Sequence, residues 1–117
     1  MRVLVCGGRD YHDRRTVDSI LTQLHRVFGP IEFIVQGGAD GADRWGAEWG
    51  RDNNIPVGTY NADWKKHGRA AGPIRNQKML EEAKPDAVVA FPGGRGTGDM
   101  VSRARKAGIW VLEIRPS

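Results

Sequence analysis

The sequence predicts a Rossmann-like α/β fold: a doubly wound five-stranded parallel sheet in a three-layer α/β/α arrangement. Three observations predict it. Short apolar runs alternate with amphipathic stretches along the whole chain, the pattern of repeated strand–helix units. The apolar runs are near-continuous rather than alternating, as strands covered on both faces are. Three of them pass directly into Gly-rich turns, at Gly7, Gly37 and Gly93.

Arg2–Cys6 reads as the first strand. Thr16–Phe28 is the clearest helix, with Val17, Ile20, Leu21, Leu24, Val27 and Phe28 on one face. Asp13 or Thr16 caps its start, and Gly29 with Pro30 ends it. Ile31–Gln36 is the second strand. A helix follows from about Gly41 to Asn53, with Ala42, Trp45, Gly46 and Trp49 on its inner stripe. Ile55–Tyr60 is the third strand, and Asn61–Gly72 reads as irregular and basic. Pro73 suits the first turn of a helix running to about Ala83. Asp86–Phe91 is the fourth strand. Thr97–Ala107 is the last helix, closed by Gly108, and Ile109–Ile114 is the fifth strand.

A chain of 117 residues, 39% hydrophobic and 27% charged, is expected to fold as one globular domain over residues 1–117. No apolar run reaches the ~18 residues that span a bilayer, and the N-terminus lacks a secretory h-region and cleavage site. A cytoplasmic location with no membrane partner is therefore expected. The single cysteine, Cys6, has no partner for an internal disulfide, in keeping with a reducing compartment. The formal charge is +4, and arginine outnumbers lysine among the 18 basic residues. Arginine's planar fork of donors suits phosphate. Such a charge fits a small nucleotide, a nucleic acid or a merely solvated surface.

In a doubly wound sheet every strand-to-helix loop lies at the carboxyl edge, where ligands bind. The candidate site gathers there. Pro92, Gly93, Gly94, Arg95, Gly96 and Thr97 form a strand–turn–helix junction that would aim backbone N–H groups at an anion, with Thr97 capping the helix. Gly37, Gly38 and Gly41 repeat the device. There Asp40 would cap the helix, and Asp43 would cap it or hold a ribose hydroxyl. Gly7, Gly8 and Arg9 form a weaker third copy. Arg75 in the first turn of a helix offers donors to a phosphate, and Asn76 an amide to a base or sugar. Trp64, Lys65, Lys66, His67 and Arg69 bring charge and a ring to the same edge. Cys6 reads as a small buried hydrophobe rather than a nucleophile. No His, Cys and Glu cluster has metal-ligand spacing, and neither metal nor cofactor is expected.

These motifs together resemble the SLOG superfamily, the Rossmann-like group uniting LOG phosphoribohydrolases with the DNA-processing DprA/SMF proteins. The chain looks closest to its YspA/cpYpsA-related family of bacterial and phage proteins. Gly37–Asp43 is similar to that group's Gly-Gly-Ala-x-Gly-x-Asp motif, Gly72–Asn76 to its Gly-Pro-Ile-Arg-Asn block, and Pro92–Thr97 to its Pro-Gly-Gly-x-Gly-Thr signature. The resemblance implies a nucleotide or nucleotide-derived ligand, such as an ADP-ribose- or NAD-derived signal, and dimers or higher oligomers. It also implies a sensor or a sequestering protein, since some SLOG domains sense such ligands in antiviral signalling. LOG enzymes extend the last signature to a catalytic glutamate, and Met100 stands at that position here. A thioether neither accepts a proton nor stabilises an oxocarbenium ion. Asp99 is adjacent, but one residue turns a helix by ~100°, so it is expected to face elsewhere. An N-glycosidase would then draw its carboxylate from Asp99 or Asp43, beside Arg75, the counterpart of the catalytic-block arginine. Single-stranded nucleic-acid binding of the DprA type is a third reading, which the dispersed basic residues favour less.

Overall fold

The computed structural model describes residues 1–116. Five strands, β1 (Arg2–Cys6), β2 (Phe33–Gln36), β3 (Val57–Thr59), β4 (Ala87–Ala90) and β5 (Trp110–Glu113), form one parallel sheet in the order β3-β2-β1-β4-β5. The chain steps outward from β1 through β2 to β3. It then returns to lay β4 on the other side of β1, pairing Leu4 with Val88 and Cys6 with Ala90. This reversal opens a crevice beyond the carboxyl ends of β1 and β4.

Helices α1 (Arg14–Val27) and α2 (Ala42–Asp52) cover one face of the sheet. They bury Val17, Leu21 and Trp49 with Val3, Val5, Ile34, Val89 and Phe91. Helices α4 (Ala71–Ala83) and α5 (Arg95–Lys106) cover the other, where Met79, Leu80, Met100 and Ala104 pack with Leu4, Val35 and Val88. A Cβ at Gly46 would lie 2.8 Å from Val5 Cγ1, so α2 sits on β1 because that side chain is missing.

Local chemistry sets the boundaries. Asp13, not Thr16, caps α1, its Oδ1 accepting from Thr16 N–H at 3.1 Å. Val27 and Phe28 are 71% and 62% exposed, off the core face expected for them; Phe28 instead leans on Trp110 with ring centroids 5.6 Å apart. The second strand starts at Phe33 rather than Ile31, whose N–H is drawn to His25 Nδ1 at 3.0 Å. The third starts at Val57 rather than Ile55: Ile55 N–H bonds Gly50 O, and Pro56 has no N–H to give. The segment Asn61–Gly72 is mostly helical, not irregular. It holds α3 (Trp64–His67), capped by Asp63, a 3-10 turn at Gly68–Ala70, and the start of α4. Helix α5 ends as expected at Gly108 (φ +73°), where Gly108 N–H bonds Arg105 O and Ile109 N–H bonds Ala104 O, each at 3.0 Å.

Candidate functional site

A cleft of about 980 Å³ lies at the carboxyl edge of the sheet. The loop after β1, the loop after β2, the start of α4 and the turn before α5 all line it. It gathers Gly7, Gly8, Arg9, Gly37, Asp43, Arg75, Asn76, Pro92, Gly93, Gly94, Arg95, Gly96, Thr97 and Asp99 from distant parts of the chain. Gly38, Asp40 and Gly41 do not line it. Gly41 serves the scaffold: it has φ +74°, and a Cβ there would run into the carbonyl of Gly8.

The three Gly-rich turns are chemically unequal. In the loop after β2 every N–H from Gly37 to Ala39 has a partner within the protein. Asp43 Oδ2 accepts from Gly37 and Ala39 at 3.2 Å each, and Gln36 Oε1 accepts from Gly38 at 2.6 Å. The Asp43 carboxylate fills this turn as an internal anion, so none of these three amides is free. Asp43 caps no helix and Asp40 is not the cap expected of it; Gly41 holds the N-cap position of α2. In the loop after β1, Gly8 N–H donates to Pro92 O at 2.9 Å, which locks this turn against the one before α5.

The turn before α5 is the open one. Gly94 is the N-cap, so Arg95, Gly96 and Thr97 form the first helical turn, and Thr97 is not the cap. Their N–H groups have no carbonyl within the helix to bond; Gly98 N–H is the first that does, to Gly94 O at 3.0 Å. Gly94 and Gly96 have no atom within 4 Å of where a Cβ would stand, whereas a Cβ on Gly93 would press on Thr97 Oγ1. Amides, positive helix end and empty space thus coincide. Arg9 and Arg95 line the same cleft as exposed side chains.

Arg75 and Asn76 are more committed than their sequence context suggests. Arg75 donates through Nη1 to Gly37 O at 2.7 Å and through Nε to Asn76 Oδ1 at 2.9 Å. Asn76 is buried, and its Nδ2 donates to Gly96 O at 3.2 Å and Asp99 Oδ2 at 3.0 Å. Its amide is a strut between α4 and α5 rather than a free reader of a base or sugar. Asp99 does reach the cleft, contrary to expectation: α5 turns Met100 into the core, and the ~100° step between neighbours leaves Asp99 on the cleft side. Met100 instead points into the core, 1% exposed. The Asp99 carboxyl feels partial burial, which raises its pKa. Hydrogen bonds from Arg103 and Asn76 and the Arg103 charge outweigh this and hold it below its ordinary value. Burial, helped by the Asp43 charge, pushes the Cys6 thiol up to about 12, so it has no thiolate character. Trp64 and Arg69 also line the cleft, while Lys65, Lys66 and His67 from the same basic run do not.

A parallel sheet with a crevice at the β1/β4 reversal and an unfilled Gly-rich helix start defines a Rossmann-like α/β domain. The YspA, cpYpsA-related SLOG family matches residues 1–67, and the chain belongs to that family. It is 42% identical to the Gene 61 protein of Mycobacterium phage D29, over 97% of this chain and 95% of that protein. Among solved structures the fold is similar to DNA processing protein A (DprA) from Streptococcus pneumoniae, with a TM-score of 0.80 at 17% identity over 99% of this chain. The chain spans 50% of that DprA chain. It is also similar to TM1055, with a TM-score of 0.68 at 19% identity, covering 94% of this chain and 71% of that one. Among the described residues no helix is long and apolar enough to cross a membrane.

Proposed function

We propose that this protein binds a nucleotide or nucleotide-derived small molecule in the carboxyl-edge cleft, as a sensor or sequestering protein. One observation carries the reading. Of the three Gly-rich turns, the one before α5 brings three free amides of a helix start together with open space above Gly94 and Gly96. An anionic group seated there would meet the helix N-terminus, with Arg9 and Arg95 within the same cleft. Membership of the SLOG family and the likeness to DprA fit a nucleotide-related ligand.

Thermal-shift titration against nucleoside monophosphates and ADP-ribose tests this. A ligand at about 100 times its Kd adds about 2.7 kcal/mol of stability. Gly94→Asp, which has room for its side chain, is expected to melt as the parent does and to lose the ligand-induced shift. The absence of a shift with every nucleotide, in parent and variant alike, overturns the reading.

An N-glycosidase is the second reading, favoured by the position of Asp99 on the cleft. With its pKa held down, Asp99 would serve as an ionised carboxylate rather than a general acid. Release of free base from AMP, abolished by Asp99→Asn, would establish it; intact AMP after prolonged incubation removes it.

A further inference from the structure

We infer that Trp64 is the stacking platform of this cleft, and that it takes the flat face of the ligand's nucleobase. The inference rests on the nucleotide reading above and extends it.

Among the described residues, five large hydrophobic side chains are conspicuously exposed: Val27, Phe28, Trp64, Ile74 and Trp110. Of these, only Trp64 lines the cleft. It is 55% exposed and belongs to neither core cluster, so packing does not explain it. Yet it is held in place. Asp63 Oδ1 accepts from Lys66 N–H at 3.1 Å at the head of the short helix, and Gly68 N–H returns to Trp64 O at its end. The far edge of the indole lies over Gly72 in the first turn of α4, with Cη2 3.4 Å from where a Cβ would stand. That helix is tied to the open turn before α5 through the Asn76–Gly96 bond of 3.2 Å. Ring and anion cradle therefore belong to one braced unit, and Arg69 borders the same cleft. Tyr11 is the other ring on the lining, and it is already packed on Phe91 with centroids 5.6 Å apart.

The one side-chain amide on the cleft is not free to read a base edge. Asn76 is the one side-chain amide on the lining, and both its oxygen and its nitrogen are bonded within the protein. Stacking on an indole tolerates any base, whereas edge reading needs free donors and acceptors. A ligand recognised by Trp64 carries a base, and the stacking itself does not choose among bases.

Calorimetric titration of the parent, Trp64→Ala and Trp64→Phe with AMP, GMP and ribose 5-phosphate tests the inference. In Trp64→Ala, AMP is expected to bind about tenfold more weakly, with ribose 5-phosphate unchanged and Trp64→Phe intermediate. GMP is expected to follow AMP within a few-fold. Unchanged AMP affinity in Trp64→Ala, or an equal loss for AMP and ribose 5-phosphate, overturns the stacking role and leaves the nucleotide reading standing. Failure of the parent to bind both AMP and GMP overturns the stacking role; failure with ADP-ribose as well overturns the nucleotide reading too.

Discussion

Asn76 Nδ2 donates to Asp99 Oδ2 at 3.0 Å, joining the second turns of α4 and α5 beside the cleft. Around this bond the network is closed: Arg75 donates to the Asn76 oxygen, Arg103 Nε donates to Asp99 Oδ2 at 2.8 Å, and Asn76 also holds the Gly96 carbonyl. Neither side chain is free to act alone. The open turn keeps its shape because the residues behind it are bonded to one another.

Removing the strut is therefore costly. Asn76→Ala deletes an acceptor for Arg75 and a donor for both Gly96 and Asp99 in a site that is 3% exposed. Buried polar partners left unsatisfied cost about 1–3 kcal/mol. A destabilisation of about 2–3 kcal/mol is expected in urea unfolding. A change within about 0.5 kcal/mol would show that the network is dispensable.

The pH dependence of stability follows from Asp43. Burial raises its pKa from 3.8 to about 6, against the pull of the Ala39 N–H, the Arg75 charge and the Gly37 N–H. The folded protein thus holds this proton more tightly than the unfolded chain. The contribution is fully present below about pH 4 and is lost as pH rises through about 6. Asp13 and Asp99, whose pKa values are lowered, act oppositely and only as pH falls below 3.8. Asp43→Asn keeps an oxygen for Gly37 and Ala39 without a charge to bury. It is expected to flatten the decline between pH 4 and 7 and to stabilise the protein at pH 7.5 by up to about 3 kcal/mol. Parallel stability–pH curves for parent and variant would contradict this.

The sheet was legible because each strand is an apolar run bounded by Gly or Pro, and the edge at which the turns meet follows from strand–helix alternation alone. Partner choice within that edge was not legible. Sequence reads Gly37–Gly41 and Gly93–Thr97 as two copies of one device, the second the stronger. Only the fold shows that the Asp43 carboxylate, six residues downstream, fills the first turn and leaves the second open. Thr97 reads as a cap by residue type, yet Gly94 holds that position. The cap at Asp63 is present in the sequence, but the basic run after it lacks the apolar periodicity of a helix and hides the helical seat of Trp64.

Met100 marks where a LOG enzyme would carry its glutamate, and the geometry of α5 argues against restoring it. The side chain lies with Leu4, Met79, Val88 and Ala104 between the helix and the sheet, while Asp99 takes the cleft-facing position. Met100→Glu would place a carboxylate among hydrocarbon groups with no partner, at a cost of several kcal/mol or a large rise in its pKa. The variant is expected to unfold at markedly lower urea than the parent and to release no base from AMP. Met100→Leu conserves volume and apolarity and should cost less than about 1.5 kcal/mol. A folded Met100→Glu protein that cleaves AMP would mean that α5 can rotate to present position 100 to the cleft, and that the present register is one of two.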